Sequence, residues 1–232
     1  MPATLELIRE RASARAPFDM GRPVSEKDLA AILEAARWSP TAHNMQNFEI
    51  IVVDDRETLK AIEQLRRAPS EAFIRENYAQ LSFTEEEWRR KKTGILGSTF
   101  PPEWLDPDFR LDKFSGAEIA AMQRPMPAAP CLLVVIYDPS RRAPASEGDF
   151  LGIMSLGCVM ENMWLAAEGL GLGLQIVSSL GSSADVKSLL GIPEGLVVAF
   201  SCRLGHPIAK PPIRLRVRRD TDGFTHRNRF DA

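Results

Sequence analysis

The sequence predicts a globular chain in which helices and buried strands are interspersed. Three observations carry that expectation. Ser25 to Arg37 places Leu29, Ile32, Leu33 and Ala36 on one helical stripe. Phe48 to Val53, Cys131 to Tyr137 and Leu196 to Cys202 are short apolar runs rich in β-branched residues, the pattern of buried strands. Asp149 to Gly169 is apolar almost all round, as a helix buried on most sides would be. With 44% hydrophobic and 26% charged residues, the 232-residue chain has an ordinary globular composition, and its length suits one large domain or a domain with an excursion.

Taken from the start, Thr4 to Arg11 spaces Leu5 and Ile8 three apart, so a short helix with Thr4 as its cap is expected. It runs into Arg11-Ala12-Ser13-Ala14-Arg15. In an extended backbone Arg11, Ser13 and Arg15 share one face, and two forked guanidiniums with a hydroxyl suit phosphate oxygens. A solvated basic patch is the other reading. Ser25 caps the next helix, with Asp28 three residues on. Between that helix and the strand at Phe48 lies Trp38-Ser-Pro-Thr-Ala-His-Asn-Met-Gln-Asn-Phe48. Ser39, Thr41, His43, Asn44, Gln46 and Asn47 crowd hydrogen-bonding groups into this connection. Such groups are costly to bury unless paired, and a planar heterocycle edged with carbonyls and ring nitrogens would pair them. A solvated turn is the alternative.

Glu57 to Arg67 reads as a helix with Leu59, Ile62 and Leu65 inward. Residues 68 to 129 mix charge runs with Phe73, Tyr78, Phe83, Trp88, Phe100, Trp104, Phe109 and Phe114. A helical excursion is expected, its aromatics serving either packing or the wall of a small-molecule pocket. After the long helix, Gly169 and Gly171 read as a helix terminus. Gly169, Gly171 and Gly173 do not form a dinucleotide fingerprint, which follows a strand and opens a helix. Leu174 to Val177 is strand-like, and Ser183 to Leu190 is a capped helix ended by Gly191. Arg214, Arg216 and Arg218 alternate with Leu215 and Val217, as in an exposed or edge strand.

The formal charge of −2 and a pI near 6.0 give no general attraction to nucleic acid or anionic membranes. Cys131, Cys158 and Cys202 are odd in number and scattered, which suits a reducing compartment and not a disulfide framework. No signal peptide is read in Met1 to Arg15, and no apolar run is read as a membrane span. A cytoplasmic protein is expected. There is no H-E-x-x-H, C-x-x-C, nucleophile elbow or P-loop. His43, His206 and His226 are far apart in the chain. Glu161 and Glu168, seven apart, share a helix face and read as solvated or capping groups before a carboxylate pair. The chemistry of an enzyme built this way would reside in a bound cofactor.

Four segments, in this order, resemble the FMN-dependent nitroreductase superfamily. Arg11 to Arg15 resembles its R-x-S-x-R phosphate motif. Ser39 to Gln46 resembles its P-S-x-x-N-x-Q segment. Asn162 to Gly173 resembles the end of its central helix, and Arg218-Arg219 with Thr225 to Phe230 resembles its tail. The resemblance implies an α+β fold of three α/β/α layers, with a central mixed, mainly antiparallel sheet and helices on both faces. One domain over residues 1–232 is expected, with the excursion at about 68–129, which matches nothing in the family, and a C-terminal arm at about 211–232. The resemblance implies a homodimer with FMN at the subunit interface and NADH or NADPH as electron donor. Arg11, Ala12, Ser13 and Arg15 would hold the phosphate and ribityl chain, with Arg218 and Arg219 beside the phosphate. Pro40, Thr41, Ala42, Asn44 and Gln46 would meet the ring from the other subunit, and Ile176, Val177 and Ser178 would offer backbone donors near it. No catalytic side chain is expected, because hydride transfer belongs to flavin N5. The implied activity is reduction of a small planar acceptor such as a nitroaromatic or quinone. Reductive dehalogenation, flavin cleavage and flavin binding without turnover are the rivals. The family commonly has Pro-Trp after the Gln, where this chain has Asn47-Phe48.

Overall fold

A four-stranded sheet forms the frame of the computed structural model, which describes residues 3–65, 70–80, 86–87, 90, 106, 108–122, 128–177, 180, 183–209, 218 and 220–230. Its strands are β1 (Phe48–Val53), β2 (Cys131–Tyr137), β3 (Gly173–Val177) and β4 (Val197–Gly205), in the order β1-β2-β4-β3. All three pairings are antiparallel. Among the described residues the parallel component is a single bridge between Ser13 and Leu174. The helices are α1 (Ala3–Glu10), α2 (Glu26–Arg37), α3 (Arg56–Leu65), α4 (Glu71–Ala79), α5 (Gly116–Ala121), α6 (Phe150–Gly169) and α7 (Ala184–Leu190).

The chain divides into two packed units. The first is Met1–Arg67 with Pro127–Lys210. Its layering follows from the two-residue period of β2. Cys131, Leu133 and Val135 turn one way, into a core with Leu29, Ile32 and Ala36 of α2 and Leu156, Val159, Met163, Trp164 and Ala167 of α6. Leu132, Val134 and Ile136 turn the other way, against Ile62 of α3 and Val186 of α7. A strand covered on both faces needs an unbroken apolar run, and β2 has one. β1 departs from expectation. It is an edge of the described sheet, and its side chains are mostly half-buried.

The caps expected from sequence are present. The Ser25 hydroxyl accepts from Asp28 N at 3.1 Å, and Ser183 caps α7 in the same way. At the end of α6, Gly171 takes φ +72°, and the following amide, Leu172 N, donates back to Ala167 O at 2.9 Å. α1 begins one residue before Thr4, so Thr4 lies in its first turn. α6 also departs from expectation. Its inward side is buried, but Phe150, Ile153 and Met154 are exposed, so an apolar side is left uncovered by the described chain. By length and composition α6 could cross a membrane, contrary to the sequence reading. Its apolar residues Leu156, Val159, Met163 and Trp164 are accounted for by the core.

The second unit is Ala68–Met126 with Pro211–Ala232. Ile74, Leu111 and Ile119 form a small core with Tyr78, Phe109 and Phe114 packed against it. The Phe109 and Phe114 rings stack at 5.3 Å, and the Tyr78 hydroxyl donates to Phe109 O at 2.6 Å. These aromatics therefore serve packing. Phe83, Trp88, Phe100 and Trp104 lie outside the described residues, as does the expected edge strand at Arg214 and Arg216.

Candidate cofactor site

The first candidate segment leaves α1 and docks on the edge of β3. Ala14 N donates to Leu174 O at 3.0 Å, beside the Ser13–Leu174 bridge. Gly173 permits this approach. A Cβ there would stand 2.6 Å from Ala14 Cβ and 2.9 Å from a ring carbon of Phe18. Three side chains of one α6 face then grip Arg11 and Ala12. The Arg11 guanidinium lies 4.3 Å over the Trp164 ring, with its Nε 3.5 Å from Glu161 Oε1. The Trp164 indole donates to Ala12 O at 3.2 Å, and Glu168 Oε2 accepts from Ala12 N at 3.3 Å. Glu161 and Glu168 are thus neither a carboxylate pair nor merely solvated. They hold the N-terminal segment, and Trp164 holds it with them.

The second segment, Pro40 to Gln46, is fixed to the same helix nearer its start. Ala42 N donates to Ser155 Oγ at 2.9 Å, and Ser155 in turn donates to Leu151 O at 2.8 Å. Asn162 Nδ2 donates to Ser39 Oγ at 2.9 Å, so the start of the loop is held as well. Within the loop, Gln46 N donates to Thr41 Oγ1 and Gln46 Nε2 to Asn44 Oδ1. His43, Asn44 and Gln46 have φ of 51°, 53° and 45°. Three left-handed non-glycine residues in one short loop represent stored backbone strain, a feature that clusters at functional sites. His43, Asn44 and Gln46 are exposed to solvent in the described chain.

The anchor points of the two segments on α6, Ser155 and residues 161–168, lie roughly 9–20 Å apart along the axis at 1.5 Å per residue. Ile176 sits two residues beyond Leu174, so its backbone groups face the same outer side of β3, where the N-terminal segment docks. Val177 pairs with Ser201, and its side chain turns to the α3 side of the sheet with Ile62 and Leu132. Ser178 and Arg219 lie outside the described residues, while Arg218 is exposed and belongs to the second unit. The donor set is a guanidinium over an indole, the Ser13 hydroxyl, Arg15, and the carboxamides of Asn44 and Gln46. It fits a phosphorylated planar heterocycle.

Two features were not legible in the sequence. Asn47 is 1% exposed, and neither its Oδ1 nor its Nδ2 has a hydrogen-bond partner among the described residues. Arg203 is buried within β4, where it donates to Gln175 Oε1 and to Ala128 O and lies 4.8 Å over Phe18. It borders a cavity of about 400 Å³ on the α3 side of the sheet, lined also by Leu59, Ile62, Leu132 and Val177. The buried thiols are inert. Burial, reinforced by Asp54, pushes Cys131 up to about 12, and burial raises Cys202 as well.

The nitroreductase family model matches residues 8–206. The chain belongs to the nitroreductase family. Among curated relatives of this family member, an NADPH-flavin oxidoreductase of Vibrio harveyi is 36% identical over 110 residues. That match covers 44% of this chain and 46% of the relative, so it spans about half of that protein's length. A solved NADPH:FMN oxidoreductase of Vibrio harveyi, complexed with NAD+, superposes with a TM-score of 0.60 at 22% identity, over 99% of this chain and 78% of that one. A Bacteroides fragilis nitroreductase with bound FMN gives 0.57 at 22% identity, over 97% and 98%. At such identities these structures establish the nitroreductase fold alone.

Proposed function

We propose that this nitroreductase-family chain binds FMN and passes hydride from NADH or NADPH to a small planar acceptor such as a nitroaromatic or quinone. One observation carries the reading: a phosphate-suited segment and a strained carboxamide loop are both fixed to the same helix, α6. Arg11, Ala12, Ser13 and Arg15 hold the phosphate end. Pro40, Thr41, Ala42, Asn44 and Gln46 face the ring, and Ile176 offers backbone groups beside it, whereas the Val177 carbonyl is engaged by Ser201. The flavin supplies the redox chemistry at N5, so the protein contributes position, electrostatics and shelter from water.

In this reading the protein is a homodimer in which the Pro40–Gln46 loop serves the partner's flavin. The exposed apolar side of α6 and the anchoring of that loop on α6 support it. The three free thiols suit the reducing cytoplasm.

The test is spectroscopic. Protein purified with FMN is expected to be yellow and to bleach when NADH or NADPH is added without oxygen. Yellow protein that does not bleach would indicate a flavin-binding protein without turnover. Protein that takes up no FMN would overturn the reading.

A further inference from the structure

We infer that Glu161 sets how tightly the FMN phosphate is held, by contending with it for Arg11. The inference rests on the phosphate end lying at Arg11, as proposed above. Arg11 and Glu161 are only partly exposed, with side-chain exposures of 23% and 36%, and their ion pair is long at 3.5 Å. Positioning Arg11 does not require that pair. The Arg11 guanidinium carbon already lies 4.3 Å over the Trp164 ring, and Trp164 and Glu168 between them fix the backbone of Ala12. At 3.5 Å the Nε–Oε1 contact is too long for a strong hydrogen bond and adds little to that positioning.

Its electrostatic consequence is larger. The phosphate monoester carries roughly −1.5 to −2 charges at neutral pH. Two anions sharing one guanidinium stand within a Debye length of about 8–10 Å, so Glu161 repels what Arg11 attracts. The carboxylate lowers phosphate affinity while leaving the ring-binding loop untouched, because that loop is anchored at Ser155 and Asn162. A flavin without phosphate does not experience the effect.

The variant is Glu161→Gln, which keeps the shape and removes the charge. FMN and riboflavin are titrated against apoprotein by fluorescence quenching, at low and at high salt. FMN affinity is expected to rise about ten-fold or more at low salt, as for relief of a like-charge contact. Riboflavin affinity is expected to stay unchanged, and the FMN gain to shrink at high salt as screening sets in. The melting temperature of the apoprotein, measured alongside, is expected to move little. If FMN affinity is unchanged or falls, or if both flavins gain equally, Glu161 is a structural tether and the inference fails. Wild-type protein that binds and bleaches with FMN in the same series keeps that failure separate from failure of the cofactor reading.

Discussion

Asn47 puts a polar side chain where nothing among the described residues answers it. Its carboxamide is buried, both polar atoms lack partners, and Nδ2 lies 3.1 Å from where a Cβ on Gly152 would sit. A buried unsatisfied polar group costs about 1–3 kcal/mol, whereas an apolar group of similar shape carries no such cost. Asn47→Leu is therefore expected to stabilise the fold by about 1–2 kcal/mol, the lower part of that range. Urea denaturation reads this as a higher midpoint at constant slope. A midpoint that stays or falls would mean that solvent or a ligand pairs with the amide in solution. The neighbouring polar residues are all held. Ser155 serves two backbone groups, Asn162 serves Ser39, and the Tyr137 hydroxyl is pushed up chiefly by its hydrogen bond to Asp149. Asn47 stands out by contrast. It occupies the position after Gln46, where the family commonly has proline.

At the scale of elements, local pattern was enough wherever local pattern decides the outcome. The stripe and cap of α2, the unbroken apolar run of β2 and the terminus at Gly171 each depend on residues close in sequence, and each was readable. Contacts between distant segments were not. Arg11 meets Glu161 and Trp164 across some 150 residues, so no spacing announces the grip. The left-handed backbone at His43, Asn44 and Gln46 was hidden because none is glycine. Arg203 was hidden inside an apolar strand. Gly173 was seen only as part of a glycine run, and its function is close approach. Gly173→Ala would drive a methyl into Ala14 and Phe18, both buried and unable to yield. Overpacking of this kind costs about 1–3 kcal/mol, and here it also pushes the Arg11–Arg15 segment off β3. Gly171→Ala meets open space and bears only the left-handed backbone penalty, about 1–2 kcal/mol. Both variants should melt earlier, but only Gly173→Ala should lose FMN affinity. Equal affinities would show that docking on β3 does not hold the phosphate segment.

At the scale of the whole molecule, the open question is what covers α6. Phe150, Ile153 and Met154 are 67%, 58% and 54% exposed, and Gly157 has open space beside it. These four follow the i, i+3, i+4, i+7 spacing, so they form one stripe opposite the buried one. A twofold axis along such a stripe would bury it against its own copy, with the glycine allowing close approach. The Pro40–Gln46 loop is tied to the buried side of the same helix at Ser155, so a partner held on the outer stripe also fixes where the loop stands relative to that partner. Association and flavin binding should therefore fail together. Ile153→Asp places a charge in the stripe without touching the core. Light scattering at micromolar concentration is expected to give twice the 25.8 kDa chain mass for the wild type and the single mass for the variant. Far-UV circular dichroism should be unchanged, while FMN retention should drop. A variant that stays dimeric would place the interface elsewhere. A monomer that keeps its FMN would show that the loop serves a flavin in its own chain.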